Sequence, residues 1–363
     1  MGMCMKAKER LRKLAEEVFE QFENGENPYI EIPIRSLRNV RFDPEKGLIM
    51  MGGEKMKRYF LNVSHAKKFM QTLMVASFVK KLLDEKVTVD MRDLFYSLKI
   101  PIPGTKDNVF NEQNESDPIV EDLEVTLDLL REEMNLKADK KGAMVGDMVI
   151  VDGGDEIDLR RQGTGGWSIP SKVEQDVIQF KEHTAKFVLF VEKAAVWERL
   201  NEDKFWKKMD CLIVTGKGQP SRGIRRLLHR MRYELGLPVI VFTDADPWGY
   251  YIYSVVKQGS INLAFLSQKL GVPDAKFVGL TTQDMHKFDI PKSLGIKLTQ
   301  QDIKRAQELL KYEWFKTKEW QEEINHMLKE GIKFEQQVLS NKSIRFVSET
   351  YLPTKLEQKD FLP

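Results

Sequence analysis

The chain has 363 residues, of which 42% are hydrophobic and 31% are charged, a composition typical of a globular protein of two or three domains. Its two cysteines, Cys4 and Cys211, are too few for a disulfide framework or a four-cysteine zinc site. Because the net charge is only +2, binding of a nucleic acid would need basic residues concentrated in one part of the chain. No signal peptide is evident and no apolar run approaches the ~20 residues of a membrane span, so we expect a soluble, cytoplasmic protein.

Residues 1–63 carry a pattern of their own. Apolar residues recur at helical spacing over 6–23, and turn-forming Asn-Gly and Asn-Pro dipeptides end this helix. Short strand-like runs follow it. Catalytic residue types do not cluster here, so we interpret the segment as a helix-plus-strands piece that contacts a partner.

Residues 64–162 predict a winged-helix domain. Apolar stripes mark three successive helices, and two strand-like runs follow at 143–151 and 156–159. Three helices and then a hairpin is the order of a winged helix, a helix-turn-helix relative that often binds DNA. The glycine-rich residues that come next predict a linker over 163–185.

The second of these helices carries a candidate nucleophile. Arg92 lies four residues before Tyr96, and this spacing puts both side chains on one face of a helix. A guanidinium near a phenol favours the phenolate and can neutralise a phosphate, as a tyrosine that attacks a phosphodiester requires. The alternative is that Tyr96 is a packing residue of the helix-turn-helix.

The remaining residues, 186–363, alternate strand-like and helical runs. Apolar strands are predicted at 186–191, 211–215 and 238–242, each followed by a helix, with a shorter strand at 261–265. This rhythm predicts a mostly parallel sheet covered by helices, with a helical C-terminal extension.

Three carboxylates follow the predicted strands. Glu192 ends the first strand, whereas Asp244 and Asp246 come after the third, and residues two apart in an extended chain point the same way. The carboxyl ends of parallel strands share one edge, where three carboxylates repel one another unless a divalent cation neutralises them. Magnesium suits such oxygen ligands, so we interpret all three as metal ligands. The alternative makes Asp246 a helix cap, Asp244 a loop residue and Glu192 the start of a helix.

A basic helix follows the second strand, after a glycine-rich turn at 216–220. Backbone N–H groups at a helix start, together with basic side chains, suit the phosphates of a nucleic acid. The candidate DNA-binding residues are Lys217 in the turn and Arg222, Arg225 and Arg226 on the helix. The alternative is a solvated face of an amphipathic helix. The five histidines are scattered without metal-ligand spacing, and we assign none of them a catalytic role.

Two of these motifs together resemble a known family. Glu192 with the sequence DADPWG over 244–249 is similar to the Toprim domain of topoisomerases, primases and certain nucleases. The sequence RDLFY over 92–96 narrows the resemblance to the cleaving subunits of type IIB DNA topoisomerases and to their relative, the meiotic double-strand-break protein. Phe95 stands where many relatives have a second tyrosine, which leaves the nucleophile in place. The expected fold is therefore a multidomain α/β and α+β protein, an N-terminal winged-helix domain followed by a Toprim domain over 186–363.

The resemblance implies a subunit that cleaves and religates double-stranded DNA. The transient break would be held by 5′-phosphotyrosyl links through Tyr96, with Arg92 assisting and Mg²⁺ at the three carboxylates. The resemblance also implies a homodimer in which the tyrosine of one protomer works with the metal site of the other. An ATP-binding B subunit would complete an A2B2 heterotetramer. The chain has no P-loop motif, consistent with ATP being bound by that partner, and we expect association with the nucleoid.

Three alternatives stay open on the sequence. A Toprim nuclease would use the same carboxylates to activate water, so Tyr96 would be dispensable. A meiotic-type break protein would cut without efficient resealing. A winged-helix regulator would bind DNA without catalysis and would ignore magnesium.

Overall fold

The computed structural model describes residues 2–137 and 141–363, which fall into two compact units. The first unit holds 2–41 and 51–137, and the second holds 42–50 together with the chain from residue 141 onward. None of the described helices is long and apolar enough to cross a membrane.

The first unit combines helices with short strands. The helices are α1 (Gly2–Glu23), α2 (Ala66–Glu85), α3 (Met91–Leu98) and α4 (Gln113–Leu127). The strands of this part of the chain are β1 (Tyr29–Pro33), β2 (Val40–Asp43), β3 (Leu48–Met51), β4 (Lys55–Tyr59), β5 (Val89–Asp90) and β6 (Leu136–Lys137). β1 pairs antiparallel with β4, and β5 pairs parallel with β6. The middle of the β2–β3 hairpin belongs to the second unit.

The N-terminal helix and strands share a unit with the helices that follow them. Arg58 on β4 is only 4% exposed, and its guanidinium donates to Asp122 of α4 at 2.7 Å and to Thr72 of α2 at 2.9 Å. A buried guanidinium is costly without its carboxylate, so this contact ties the small sheet to the helices. The expected boundary between residues 63 and 64 therefore does not separate compact units.

The second unit is built on a large mixed sheet with helices on both sides. Its strands are β7 (Ala143–Gly146), β8 (Met148–Asp152), β9 (Asp155–Asp158), β10 (Trp167–Ser168), β11 (Ile178–His183), β12 (Phe187–Val191), β13 (Cys211–Thr215), β14 (Val239–Phe242), β15 (Lys276–Gly279), β16 (Ile296–Lys297) and β17 (Ile332–Lys333). Its helices are α5 (Ala194–Glu202), α6 (Phe205–Lys208), α7 (Arg222–Glu234), α8 (Pro247–Lys257), α9 (Ser267–Leu270), α10 (Thr282–Lys287), α11 (Gln300–Leu309), α12 (Lys318–Glu330) and α13 (Leu352–Glu357).

The large sheet has the strand order β10-β7-β13-β12-β14-β15. The strands β13, β12, β14 and β15 run parallel to one another. At one edge, β7 pairs antiparallel with β13, and β10 pairs antiparallel with β7. Side chains alternate between the two faces along each strand. On β12, Val188 and Phe190 pack on the side of α7, α8, α11 and α12, whereas Leu189 and Val191 pack on the side of α5, α6 and α13. Both faces are covered by helices, as the alternating pattern predicted.

The strands expected to form a wing lie in the second unit instead. β7 is buried along its whole length and extends the large sheet by pairing with β13, while β8 lies between β9 and β11 in an antiparallel sheet. Residues 163–185, expected as a linker, supply β10 and β11. An apolar strand gains more from burial in a sheet than from exposure as a wing, which accounts for the difference from the expected division. The run at 261–265, expected as a strand, lies in a 3₁₀ turn over Ile261–Leu266.

Trp320 joins α12 to the sheet, and its loss tests how much this packing contributes. The indole is 1% exposed, and its Nε1 donates to the carbonyl of Pro363 at 2.7 Å. The aromatic rings 5.1–5.4 Å from it are those of Tyr250, Tyr253, Phe277 and Phe315. We predict that Trp320→Ala lowers the free energy of unfolding by about 3–5 kcal/mol, measured by denaturant titration.

Tyr233→Ala is the matched control, since Tyr233 lies in the same unit and is 57% exposed. We expect it to change the free energy of unfolding by no more than about 0.5 kcal/mol. An equal loss in the two variants would show that the aromatic cluster does not carry the stability of this unit.

Candidate active site

The predicted carboxylates lie at the carboxyl edge of the parallel strands. Glu192 follows β12 and Asp244 comes shortly after β14, and these two strands are neighbours in the sheet. The Glu192 N–H donates to the carbonyl of Phe242 at 3.0 Å, so the ladder continues one residue beyond the strands. β12 has β13 on one side and β14 on the other, so the strand order reverses at β12. Ligands of open α/β sheets bind at the carboxyl ends of the strands beside such a reversal.

Glu192 and Asp244 are buried and in contact. The Asp244 N–H donates to Glu192 Oε2 at 3.0 Å, and the two residues are 9% and 3% exposed. Burial raises the pKa of Glu192 to about 8, and the charge of Asp244 adds to this effect. Burial likewise raises the pKa of Asp244 to about 6, although its hydrogen-bond donors oppose the shift. This edge of the sheet is therefore short of positive charge.

Lys193 and Gln336 supply those donors. Lys193 Nζ lies 2.9 Å from Asp244 Oδ2 and 3.8 Å from Glu335 Oε1. Burial opposes the charged form of Lys193, but its hydrogen bond to Asp244 and the nearby negative charges outweigh burial and leave its pKa raised. The N–H of Gln336 donates to Asp244 Oδ1 at 2.9 Å. Sequence reasoning missed both residues, although Lys193 stands directly after Glu192.

One carboxylate oxygen of Asp246 makes a hydrogen bond within the protein. Its side chain accepts from the N–H of Gly249 at 2.6 Å and caps α8, which is the alternative that the sequence left open for this residue. Burial raises the pKa of Asp246 as well. Among the described residues, no three His, Cys, Asp or Glu side chains are grouped so that they could hold a metal ion together.

The donor chemistry nevertheless fits a hard divalent cation. Carboxylate oxygens are the ligands that Mg²⁺ prefers, and burial raises the pKa values of all three carboxyls, so their charged forms would gain from a bound cation. The ammonium of Lys193 is the cation now beside Asp244, which shows that this edge accepts positive charge.

Tyr96 is presented to solvent by α3 in the first unit. Asp90 caps this helix by accepting from the Asp93 N–H at 2.7 Å, and the buried face holds Phe95. The Tyr96 side chain is 59% exposed, so it is not the packing residue of the alternative interpretation. Arg92 lies on the same face, with its guanidinium carbon 5.9 Å from the centroid of the Tyr96 ring.

Two of the α7 arginines expected to bind DNA are paired or buried inside the second unit. Arg226 binds Glu174 through Nε and Nη2 at 2.7 and 2.8 Å, and Arg225 is 2% exposed. These two residues therefore do not form the open phosphate-binding face expected from the sequence, and α7 is not a solvated helix either. Arg222 is half-buried, and Lys217 is exposed in the preceding turn.

Three family models match successive parts of the chain. Family models match residues 67–136 (Type IIB DNA topoisomerase) and 140–184 (All-beta domain in DNA topoisomerase VI alpha subunit). A third model, the Toprim domain shared by the A subunit of topoisomerase 6 and Spo11, matches residues 187–356.

Several named proteins are similar to this chain over nearly its whole length. Those from Pyrococcus abyssi and Pyrococcus horikoshii, each named as the A subunit of type 2 DNA topoisomerase 6, are 49% identical over 99% of this chain and 96% of theirs. A protein of the same name from Methanocaldococcus jannaschii is 36% identical over 98% of this chain and 96% of its own.

The chain belongs to the family of topoisomerase VI A subunits.

Membership confirms the resemblance carried by the two motifs. The chain is the DNA-cleaving subunit of a type IIB topoisomerase, and its second unit contains a Toprim domain, a domain that generally binds a divalent metal. The matched all-β segment corresponds to β7–β11, the strands that sequence reasoning divided between a wing and a linker.

Gly249 is required by the close approach of α8 to the carboxylate edge. A Cβ at this position would lie 2.4 Å from the carbonyl oxygen of Asp244 and 3.1 Å from its nitrogen. We predict that Gly249→Ala displaces Asp244 and lowers DNA cleavage by about tenfold or more, because the carboxylate edge moves while Tyr96 is untouched; a tenfold loss corresponds to about 1.4 kcal/mol. Cleavage would be measured with saturating magnesium and the partner subunit.

Gly165→Ala is the control for this substitution, since a Cβ there has nothing within 4 Å and the residue needs no left-handed backbone. We expect it to cleave as the unmodified protein does. Equal cleavage by the two variants would mean that the approach of α8 does not position the site.

Proposed function

We propose that the protein cuts duplex DNA through Tyr96. The observation that carries this proposal is a tyrosine exposed on a capped helix, with an arginine one helical turn before it. The phenolic oxygen attacks a DNA phosphorus, forms an O–P bond and expels the 3′ oxygen, which leaves as a hydroxyl. The result is a 5′-phosphotyrosyl link, and attack by the 3′ hydroxyl reverses it without any high-energy cofactor.

Arg92 assists in two ways. It can bind a non-bridging oxygen of the attacked phosphate, and its positive charge stabilises the negative charge that develops there. The buried face of α3, which includes Phe95, fixes the direction in which Tyr96 and Arg92 point. Both functional side chains therefore extend from a helix whose other side is held by packing.

Glu192, Asp244 and Asp246 are proposed to hold Mg²⁺, which when bound supplies positive charge for the phosphate and the leaving oxygen. Lys193 and the Gln336 N–H hold Asp244 in place at the edge of the sheet. Of the residues expected to contact DNA, Lys217 and Arg222 remain the candidates near the surface.

The proposed assembly follows the family. We infer a homodimer that joins an ATP-binding B subunit in an A2B2 heterotetramer, acts on double-stranded DNA and is associated with the nucleoid in the cytoplasm. The outer side of α1 is the proposed partner contact, because it exposes Met5 and Phe19 by 65% and 60%. Removing residues 1–63 would also remove Arg58 from its buried ion pair, so single substitutions on α1 are the cleaner test.

Replacing the nucleophile tests the central step. Tyr96→Phe keeps the ring but removes the phenolic oxygen, so we predict a folded protein that binds DNA and forms no covalent adduct. The assay incubates supercoiled DNA with magnesium and the partner subunit, followed by detergent and protease. Tyr233→Phe, an exposed tyrosine of the second unit, should form the adduct normally. An adduct at the normal level with Tyr96→Phe would exclude this assignment.

Replacing the carboxylates tests the metal site. We predict that Glu192→Gln and Asp244→Asn each lower cleavage and shift the magnesium titration to higher concentration, because an amide is a poorer ligand for a hard cation. Glu192→Gln should not lower the melting temperature, since burial already disfavours a charge at this position and an amide oxygen can still accept from the Asp244 N–H. Glu198→Gln, an exposed residue of α5, is the control. Unchanged titrations in both carboxylate variants would place the metal elsewhere.

A further inference from the structure

Arg225 is a buried arginine that lacks the partners its neighbours have. Its side chain on α7 is 2% exposed, and its Nε and Nη2 have no hydrogen-bond partner among the described residues. Buried polar groups in folded proteins are nearly always paired, and an exception can mark a bound water, an ion or a functional group.

Two other arginines of the same helix show what is missing. Arg226 uses Nε and Nη2 to bind both oxygens of Glu174, at 2.7 and 2.8 Å. Arg230 uses the same two atoms to bind both oxygens of Glu234, at 2.7 and 2.8 Å. These atoms form one edge of the guanidinium, which presents two parallel donors to an anion with two oxygens. On Arg225 this same edge meets no anion among the described residues.

The positive charge of Arg225 persists despite its burial. Burial lowers its pKa to about 10, and the neighbouring charge of Arg222 acts in the same direction. A pKa of about 10 still leaves the guanidinium protonated near pH 7. The phenol of Tyr251 favours the charged form, but a phenol is a weak counter-ion at that pH.

The surroundings of Tyr251 add a second cation. The guanidinium carbon of Arg305 on α11 lies 4.1 Å from the centroid of the Tyr251 ring, and its Nε is buried without a partner among the described residues. Glu308 pairs with Arg305 at 3.0 Å through Nη1. The charge of Glu308 offsets that of Arg305, whereas no described residue makes a hydrogen bond to the Nε–Nη2 edge of Arg225.

We propose that Arg225, with Tyr251 near it and Arg305 packed on the ring of Tyr251, forms a binding site for one phosphate group. The Nε–Nη2 edge of Arg225 binds two phosphate oxygens, as the same edges of Arg226 and Arg230 bind carboxylates. The site is separate from the carboxylates that are proposed to bind metal. The phosphate is either one of the DNA backbone or a free inorganic phosphate, and only the DNA source rests on the proposed function.

The first arm of the test uses inorganic phosphate and the full chain. The melting temperature is measured in sodium phosphate and in sodium chloride at equal ionic strength. We expect phosphate to raise it in the unmodified protein, because a ligand that binds only the folded state stabilises it. Arg225→Gln should abolish that rise. Arg232→Gln removes an arginine of the same helix that pairs with Asp274 at 2.6 Å, and it should keep the rise.

The second arm uses duplex DNA over a series of salt concentrations. Each lost phosphate contact makes the slope of log affinity against log salt shallower by about 0.9. A shallower slope in Arg225→Gln alone would identify the DNA backbone as the source. An unchanged slope, with the phosphate response lost, would identify a free anion. Arg225→Lys keeps the charge but loses the two-donor edge, so we expect it to retain the slope and bind more weakly.

The proposal is overturned if phosphate stabilises the unmodified protein no more than chloride does and the DNA slope is the same in Arg225→Gln. Should Arg225→Gln fail to fold, the phosphate titration of the unmodified protein and of Arg225→Lys decides the matter. An adduct assay on Tyr96→Phe is independent of both arms, so failure of the proposed function is distinguishable from failure of this site.

Discussion

Two carboxyl groups buried side by side are the constraint on which the second unit depends. Glu192 and Asp244 follow neighbouring parallel strands, and the backbone N–H of Asp244 donates to Glu192 Oε2 at 3.0 Å. Burial disfavours both charges, so the fold must hold the pair against their repulsion. It does so with a sheet covered on both faces, because strands fixed by packing on two sides cannot twist away to separate the carboxyls. Burial raises the pKa values of both carboxyls, and the charge of Asp244 adds to the effect on Glu192.

The C-terminal part of the chain completes this edge. Ala245 and Phe334 exchange two backbone hydrogen bonds, at 2.9 and 3.1 Å, and thereby bring Gln336 to Asp244. The helical extension is therefore part of this edge of the sheet, because the N–H of its Gln336 donates to Asp244 a hydrogen bond that the strands do not supply. Lys193 adds a flexible ammonium next to the same carboxylate. A flexible cation can give way to a divalent one, whereas a fixed guanidinium would compete with it.

The sequence predicted what local pattern and topology determine. Short apolar runs specified β12, β13 and β14, and parallel order placed Glu192 and Asp244 at one edge. The sequence did not predict Gln336, which donates to Asp244 from 92 residues away, or the Glu174 carboxylate that binds Arg226 from 52 residues away. Long-range pairing also moved β7 from the expected wing into the sheet. These contacts depend on which distant segments the fold brings together. The periodicity of one segment does not predict its partners elsewhere in the chain.

The opposite surroundings of the tyrosine and the carboxylates follow from their chemistry. The proposed function requires a nucleophile that projects outward to reach the backbone of a rigid duplex, and Tyr96 is 59% exposed on a helix anchored by its other face. The proposed metal ligands require the reverse, since burial raises the free energy of uncompensated carboxylates and strengthens their attraction for a divalent cation. One element cannot satisfy both requirements, because exposure that frees a phenol also hydrates a carboxylate. The chain carries Tyr96 on its first compact unit and the carboxylates on its second, so each group has the surroundings that its proposed role requires.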